Sequence, residues 1–181
     1  MNYNKYKYCI DRIYLKYKYI EKVKSYKAEG FSEYLLDNVS LQVRKMVEYL
    51  LLAIGIIHRE PFLIAENYFE FNCSGKGLFG ILRQINEDFF PCSADGQIIL
   101  DQKILHNMFE VSSHILHITN PFFHKSQQNI DRKMKKMFAF ADMLIETLNN
   151  HKIRRYDGSV ITYCRLQENV SSVKVEKLSK I

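Results

Sequence analysis

Apolar residues recur along most of this chain at helical three-and-four spacing, and the period changes to two only near the C-terminal end. Residues 4–28 place Ile13, Tyr17, Ile20 and Val23 on one side and lysines on the other, and Gly30 stops the helix they predict. Ser32 is the expected N-cap of a second helix reaching about residue 59, with a break expected near 38–40. Its second half is apolar nearly all round, through Val43, Met46, Val47, Leu50, Leu51 and Ile54, which predicts a place in the middle of a bundle. A short helix is expected in 62–72 and another at 78–89, closed by Pro91 and a turn at Ala94-Asp95-Gly96.

Asp101 is expected to cap a helix running to about residue 118, with Ile104, Leu105, Met108, Phe109, Ser112, Ile115 and Leu116 turned inward and Pro121 beyond its end. A long helix over 126–150 carries the stripe Ile130, Met134, Met137, Phe138, Ala141, Leu144, Ile145 and Leu148. After His151, β-branched residues dominate 160–166 and 170–178, with Asp157-Gly158 as a turn and 152–156 as an optional third strand. The expected fold class is therefore mainly α: a bundle of about five helices over 1–150 and a small C-terminal antiparallel β-meander over 151–181, together one domain.

Composition narrows this reading. The 181 residues contain 7 Gly and 3 Pro, too few for long linkers. Segment 1–27 has no apolar core of the kind a signal peptide needs. The longest apolar stretch, 46–57, is interrupted by Glu48 and is too short to span a bilayer, so the expectation is a cytoplasmic protein without membrane contact. Cys9, Cys73, Cys92 and Cys164 are scattered and form no CxxC pair, which predicts buried or half-buried free thiols rather than a disulfide framework or a zinc ribbon.

The formal net charge is +6. Lysines cluster in the first helix, and Arg132, Lys133, Lys135 and Lys136 form a second basic group. Either group can be a solvated helix face or a phosphate-binding surface. The interleaved tyrosines and lysines of the first helix suit base stacking, but an amphipathic helix that covers a core with tyrosines is the commoner explanation and the one favoured here.

The helix near residue 110 holds the densest chemistry. His106, Glu110, Ser113, His114 and His117 fall at i, i+4, i+7, i+8 and i+11, so they share one face. Glu110 lies one turn from both His106 and His114 and can orient either ring. This face admits three readings: a solvated surface, an RNA-binding or metal-independent cleavage site, and a metal site. The metal reading is the weakest, because ligands from one helix rarely complete a coordination shell and the spacing is not HExxH; no metal and no cofactor is expected. Ser74-Gly75-Lys76-Gly77 lacks the full phosphate-loop spacing and follows no strand pattern.

The stretch FEVSSHILHITNPF, with Leu116, His117, Asn120, Pro121 and Phe122, resembles uncharacterised bacterial proteins in which a helix ends in a Leu-His pair followed by Asn-Pro-Phe. The resemblance extends over about 73–178, through a Gly-Lys-Gly lead, a Phe-Pro end, a long helix and a β-rich tail. These proteins are similar in turn to the HEPN superfamily of small, often dimeric helical bundles, many of them RNases of toxin–antitoxin and antiphage systems. The resemblance implies RNA as the ligand, a protein partner or antitoxin, a homodimer, and a catalytic histidine at His114 or His117, beside Asn120. The superfamily's arginine has no counterpart on this helix, whose lysine is Lys103; Arg44 on the second helix is the substitute cation this reading names. The alternative is a non-catalytic interaction module in a defence or regulatory complex.

Overall fold

A computed structural model describes residues 3–26, 30–58, 80, 92–93, 100–117, 126–154, 160–167 and 170–176. Among these, the helices are α1 (Tyr3–Ser25), α2 (Glu33–Ile57), α3 (Gln102–Leu116) and α4 (Gln127–Asn149). The mainly helical expectation holds. The helix expected in 62–72 lies outside the described residues, as does that expected in 78–89 apart from Gly80, which is helical.

The caps anticipated from the sequence are in place. Ser32 has extended backbone and its hydroxyl accepts from the Leu35 N–H at 3.1 Å. Asp101 accepts from the Ile104 N–H at 2.6 Å. Each satisfies one of the backbone donors that a helix start leaves without an intrahelical partner. The break expected near 38–40 does not occur; α2 is continuous. Asn38 donates its side-chain amide to the Tyr34 carbonyl at 2.9 Å, so the side chain joins the helix rather than competing with it.

α2 is the axis of the assembly. It packs against α1, α3 and α4, and α1 also touches α4. Its buried residues fall around the whole helix, as its sequence requires: Leu36, Val39, Val43, Met46, Val47, Leu50, Leu51, Ala53, Ile54 and Ile57. α1 contributes Tyr6, Ile10, Ile13, Tyr14, Ile20 and Val23 to the same core. α3 adds Leu105, Met108, Phe109 and Ile115, and α4 adds Met134, Met137, Leu144 and Leu148. Cys9 is a buried free thiol whose pKa burial pushes up to about 11, which leaves it inert; the other cysteine side chains lie outside the description.

α1 and α4 run antiparallel, because Tyr14 donates to Asn149 and Tyr17 to Asp142, each at 2.9 Å, while Lys24 also reaches Asp142. The turn between α1 and α2 is clamped to the start of α4. Gln127 donates to the Phe31 carbonyl and to Asp131 Oδ1, each at 2.9 Å, and Asp131 accepts from the Phe31 N–H at 3.3 Å. Gly30 makes this approach possible. Its φ is +135°, and an added Cβ would lie 2.7 Å from Gln127 Nε2. Gly30→Ala is therefore expected to lower stability by roughly 1–3 kcal/mol in urea unfolding, from left-handed backbone strain and a displaced Gln127. An unchanged midpoint would show that the clamp is not formed.

Backbone pairing joins β1 (Cys92–Ser93), β2 (Asn150–Arg154), β3 (Val160–Gln167) and β4 (Val170–Glu176) in the order β1-β2-β3-β4, all antiparallel. The pairing of 92–93 with 151–152 was not legible in the sequence, where that segment reads as a helix end and a turn.

Candidate functional site

A cleft beside chemistry-bearing side chains opens between α3 and α4, with a volume of about 630 Å³. Both helices lean on α2, and the space between their outer faces is the cleft. α3 supplies Glu110 and His114, one turn apart, with Val111 and Ile115 as apolar lining. α4 supplies Arg132, Lys133 and Lys136, which a 3.6-residue period places on one side of the helix. The volume lies in the range of small-ligand sites.

The cleft thus joins two features that are separate in sequence, the histidine face and the second basic group. Three cations line it against one carboxylate. Two of the cations are positioned by their own helix: Arg132 donates to Asn129 Oδ1 at 3.2 Å, and the Lys136 ammonium sits 5.4 Å from the centroid of Phe140. Glu110 is half-buried and His114 is exposed, so the carboxylate sits deeper and the imidazole nearer the rim. An anion entering the cleft would meet cations on one wall and a carboxylate and an imidazole on the other.

The other residues singled out in the sequence lie elsewhere. His117 is the C-cap of α3 and is exposed; its N–H donates to the Ser113 carbonyl at 3.1 Å, and its side chain does not line the cleft. Arg44 is engaged on the opposite side of α3. It donates to Glu48 at 3.1 Å and its guanidinium stacks 5.2 Å from the centroid of Phe109. Lys135 and His106 are exposed and are not among the side chains that line the cleft. Asn120 lies outside the described residues. Among the described residues, no group of three or more His, Cys, Asp or Glu side chains could hold a metal ion.

No protein-family model, curated protein or solved structure matches this chain.

One functional-looking group had no sequence signal. His151 is buried, and its Nδ1–H donates to the Leu148 carbonyl at 2.9 Å. A carbonyl can only accept, so Nδ1 carries the proton and Nε2 is the acceptor. Nε2 receives the hydroxyl of Tyr6, a residue of α1. Burial pushes the His151 pKa down to about 4, against a smaller upward pull from the Leu148 carbonyl. Tyr6 and His151 are 145 positions apart, and no local pattern links them. The pair fastens the N-terminal helix to β2. Among the described residues, no helix is long and apolar enough to cross a membrane.

Proposed function

We propose that this protein binds RNA in the cleft between α3 and α4, as a HEPN-like bacterial protein of a toxin or antiphage system, and cleaves it without a metal. The observation that carries the reading is the meeting of Glu110 and His114 with Arg132, Lys133 and Lys136 around one space. Clustered cations supply the counterion-releasing contacts that phosphate backbones require. The imidazole beside them is the group most easily tuned for proton transfer near neutral pH. The resemblance around Leu116, His117 and Asn120 points the same way. In this reading the whole chain is one cytoplasmic domain, a bundle of about five helices closed by the C-terminal meander. His114 is its central catalytic residue, with His117, Asn120 and Arg44 as outlying candidates.

Binding is tested with labelled single-stranded RNA across a salt series. Three phosphate contacts on a single strand give a slope of about −2 in log affinity against log salt. Arg132→Glu, Lys133→Glu and Lys136→Glu together are expected to weaken binding by roughly a hundredfold or more, while Lys135→Glu, outside the cleft, changes it little. Affinity indifferent to both salt and the triple substitution would sink the reading.

A second reading, the non-catalytic partner module, is favoured by one observation. The outer face of α1 exposes Tyr8, Leu15 and Tyr19 at 56%, 55% and 38%, and these fall along one stripe. Lys18 and Lys22 flank the stripe on one side, with Asp11 between them in angle and paired to Lys7, and Lys5, Arg12 and Lys16 flank it on the other. An apolar stripe between rows of cations suits an acidic amphipathic segment of a partner protein. Loss of a partner on Leu15→Glu, with RNA binding intact, would support a scaffold role at that face.

A further inference from the structure

We propose that the outer face of the α1–α2 hairpin docks on an anionic lipid bilayer, through tyrosines and leucines set among cations. The proposal goes beyond both readings above, since neither needs a membrane. Among the described residues, the exposed large hydrophobic side chains are Tyr8, Leu15, Tyr19, Tyr26, Tyr34 and Leu41. All six belong to α1, to α2 or, in Tyr26, to the residue that follows α1. α1 and α2 run antiparallel, because Arg12 hydrogen-bonds Tyr49 and Lys16 donates to Gln42 at 3.3 Å. A 3.6-residue period places Tyr8, Leu15 and Tyr19 roughly a quarter-turn round α1 from Lys16, and Tyr34 and Leu41 roughly a quarter-turn round α2 from Gln42. In antiparallel helices these two displacements carry both sets to the same side of the pair. α3 and α4 pack on α2 without covering Tyr34 or Leu41, and none of the side chains lining the cleft belongs to α1 or α2.

Charge and shape both select this occupant. Lys5, Lys18 and Lys22 are exposed on α1, and Arg12 and Lys16 reach across between the apolar residues of the two helices. Of the acids nearby, Asp11 is paired with Lys7 at 3.8 Å, and Glu48 with Arg44 and Lys45 at 3.1 and 2.7 Å. Glu21 is drawn to Tyr17, beside α4, and Glu33 stands in the first turn of α2, where it meets the helix's own N-terminal dipole. The balance is positive, which repels a second copy of the same face and attracts anionic headgroups. Tyrosine suits the headgroup level, with an apolar ring and a polar tip, and lysine stems lie along apolar surface while their ammonium groups reach phosphate. One protein segment along α1 would cover Tyr8, Leu15 and Tyr19 and leave Tyr34 and Leu41 bare, about 8–10 Å away on the next helix. A bilayer surface meets both helices at once, over the ~27 Å from Tyr8 to Tyr26. The expectation of no membrane contact rests on the lack of a spanning segment, and a peripheral face needs none.

The experiment is co-sedimentation of the full chain with vesicles of phosphatidylcholine alone, or of phosphatidylcholine and phosphatidylserine in equal parts. Binding is expected to the mixed vesicles and not to phosphatidylcholine alone, and it should fall as salt rises. Lys18→Glu is expected to weaken it roughly tenfold, whereas Lys103→Glu, the same change of charge on an exposed residue of α3, alters it little. Tyr8→Ser with Leu15→Ser should weaken it by a similar factor at an unchanged melting temperature, because both side chains are more than half exposed. A chain that melts cooperatively yet stays in the supernatant with mixed vesicles overturns the proposal and leaves the face to a protein partner. Equal losses in Lys18→Glu and Lys103→Glu reduce the effect to net charge and also overturn it, as does binding indifferent to the Tyr8 and Leu15 substitutions. Single-stranded RNA is the last arm, used on the chain carrying Arg132→Glu, Lys133→Glu and Lys136→Glu so that the cleft plays no part. RNA that displaces this chain from the vesicles assigns the face to nucleic acid and overturns the lipid reading; vesicle binding that persists supports it.

Discussion

Acidification from pH 6.5 towards pH 4 is expected to remove about 3 kcal/mol of stability through a single residue, His151. Its folded pKa, about 4, lies below the ordinary 6.5. Between those values the unfolded chain holds the extra proton and the folded chain does not. The contribution is therefore complete above pH 6.5, shrinks as pH falls, and is exhausted near pH 4. Protonation would put a charge into a buried site and replace the Nε2 lone pair, which accepts from Tyr6, with a second donor. Urea unfolding at a series of pH values measures the effect. His151→Leu should flatten the dependence across this window and lower stability at neutral pH, since it leaves the buried Tyr6 hydroxyl without this acceptor. Adding Tyr6→Phe should recover part of that loss, because an apolar pair replaces a polar one. A His151→Leu variant with the wild-type pH profile would rule out His151 as the titrating group.

Leu50→Ala should lower stability by about 2–5 kcal/mol, a large share of what a domain of this size possesses. Leu50 is fully buried on α2, which packs against the other three helices among the described residues. Truncation removes the transfer free energy of the lost methyl groups and leaves a cavity walled by helices that cannot collapse independently. Leu41→Ala on the same helix is the control; Leu41 is 39% exposed, so its loss should stay within about 0.5 kcal/mol. Similar melting behaviour for the two variants would contradict the central position of α2.

The sequence displayed its helices because each has a face to bury. The stripe of α4 and the all-round apolar half of α2 are local patterns, written in residues three and four apart. Ser32 and Asp101 were legible as caps for the same reason, since the hydroxyl or carboxylate bonds an N–H only three residues away. Asn38 misled because polar residues mid-helix commonly mark a break; whether such a side chain competes with the helix or bonds back to it is settled by its rotamer.

The candidate site was legible only in halves. Periodicity aligned Glu110 with His114 and gathered Arg132, Lys133 and Lys136, but nothing local related the two groups. They meet because α3 and α4 both lean on α2, and that packing is set by nonlocal burial. His117 stands at the helix end where the sequence places it, and the same packing turned Arg44, which the resemblance named as a substitute cation, onto Phe109. Tyr6 and His151 are the extreme case, a buried hydrogen bond across 145 positions. Helical spacing is a property of neighbours in the chain, so the sequence alone determined which faces are apolar, basic or histidine-bearing. Which faces oppose one another depends on how the hydrophobic surfaces of all the helices can be buried together, and only the tertiary structure decided that.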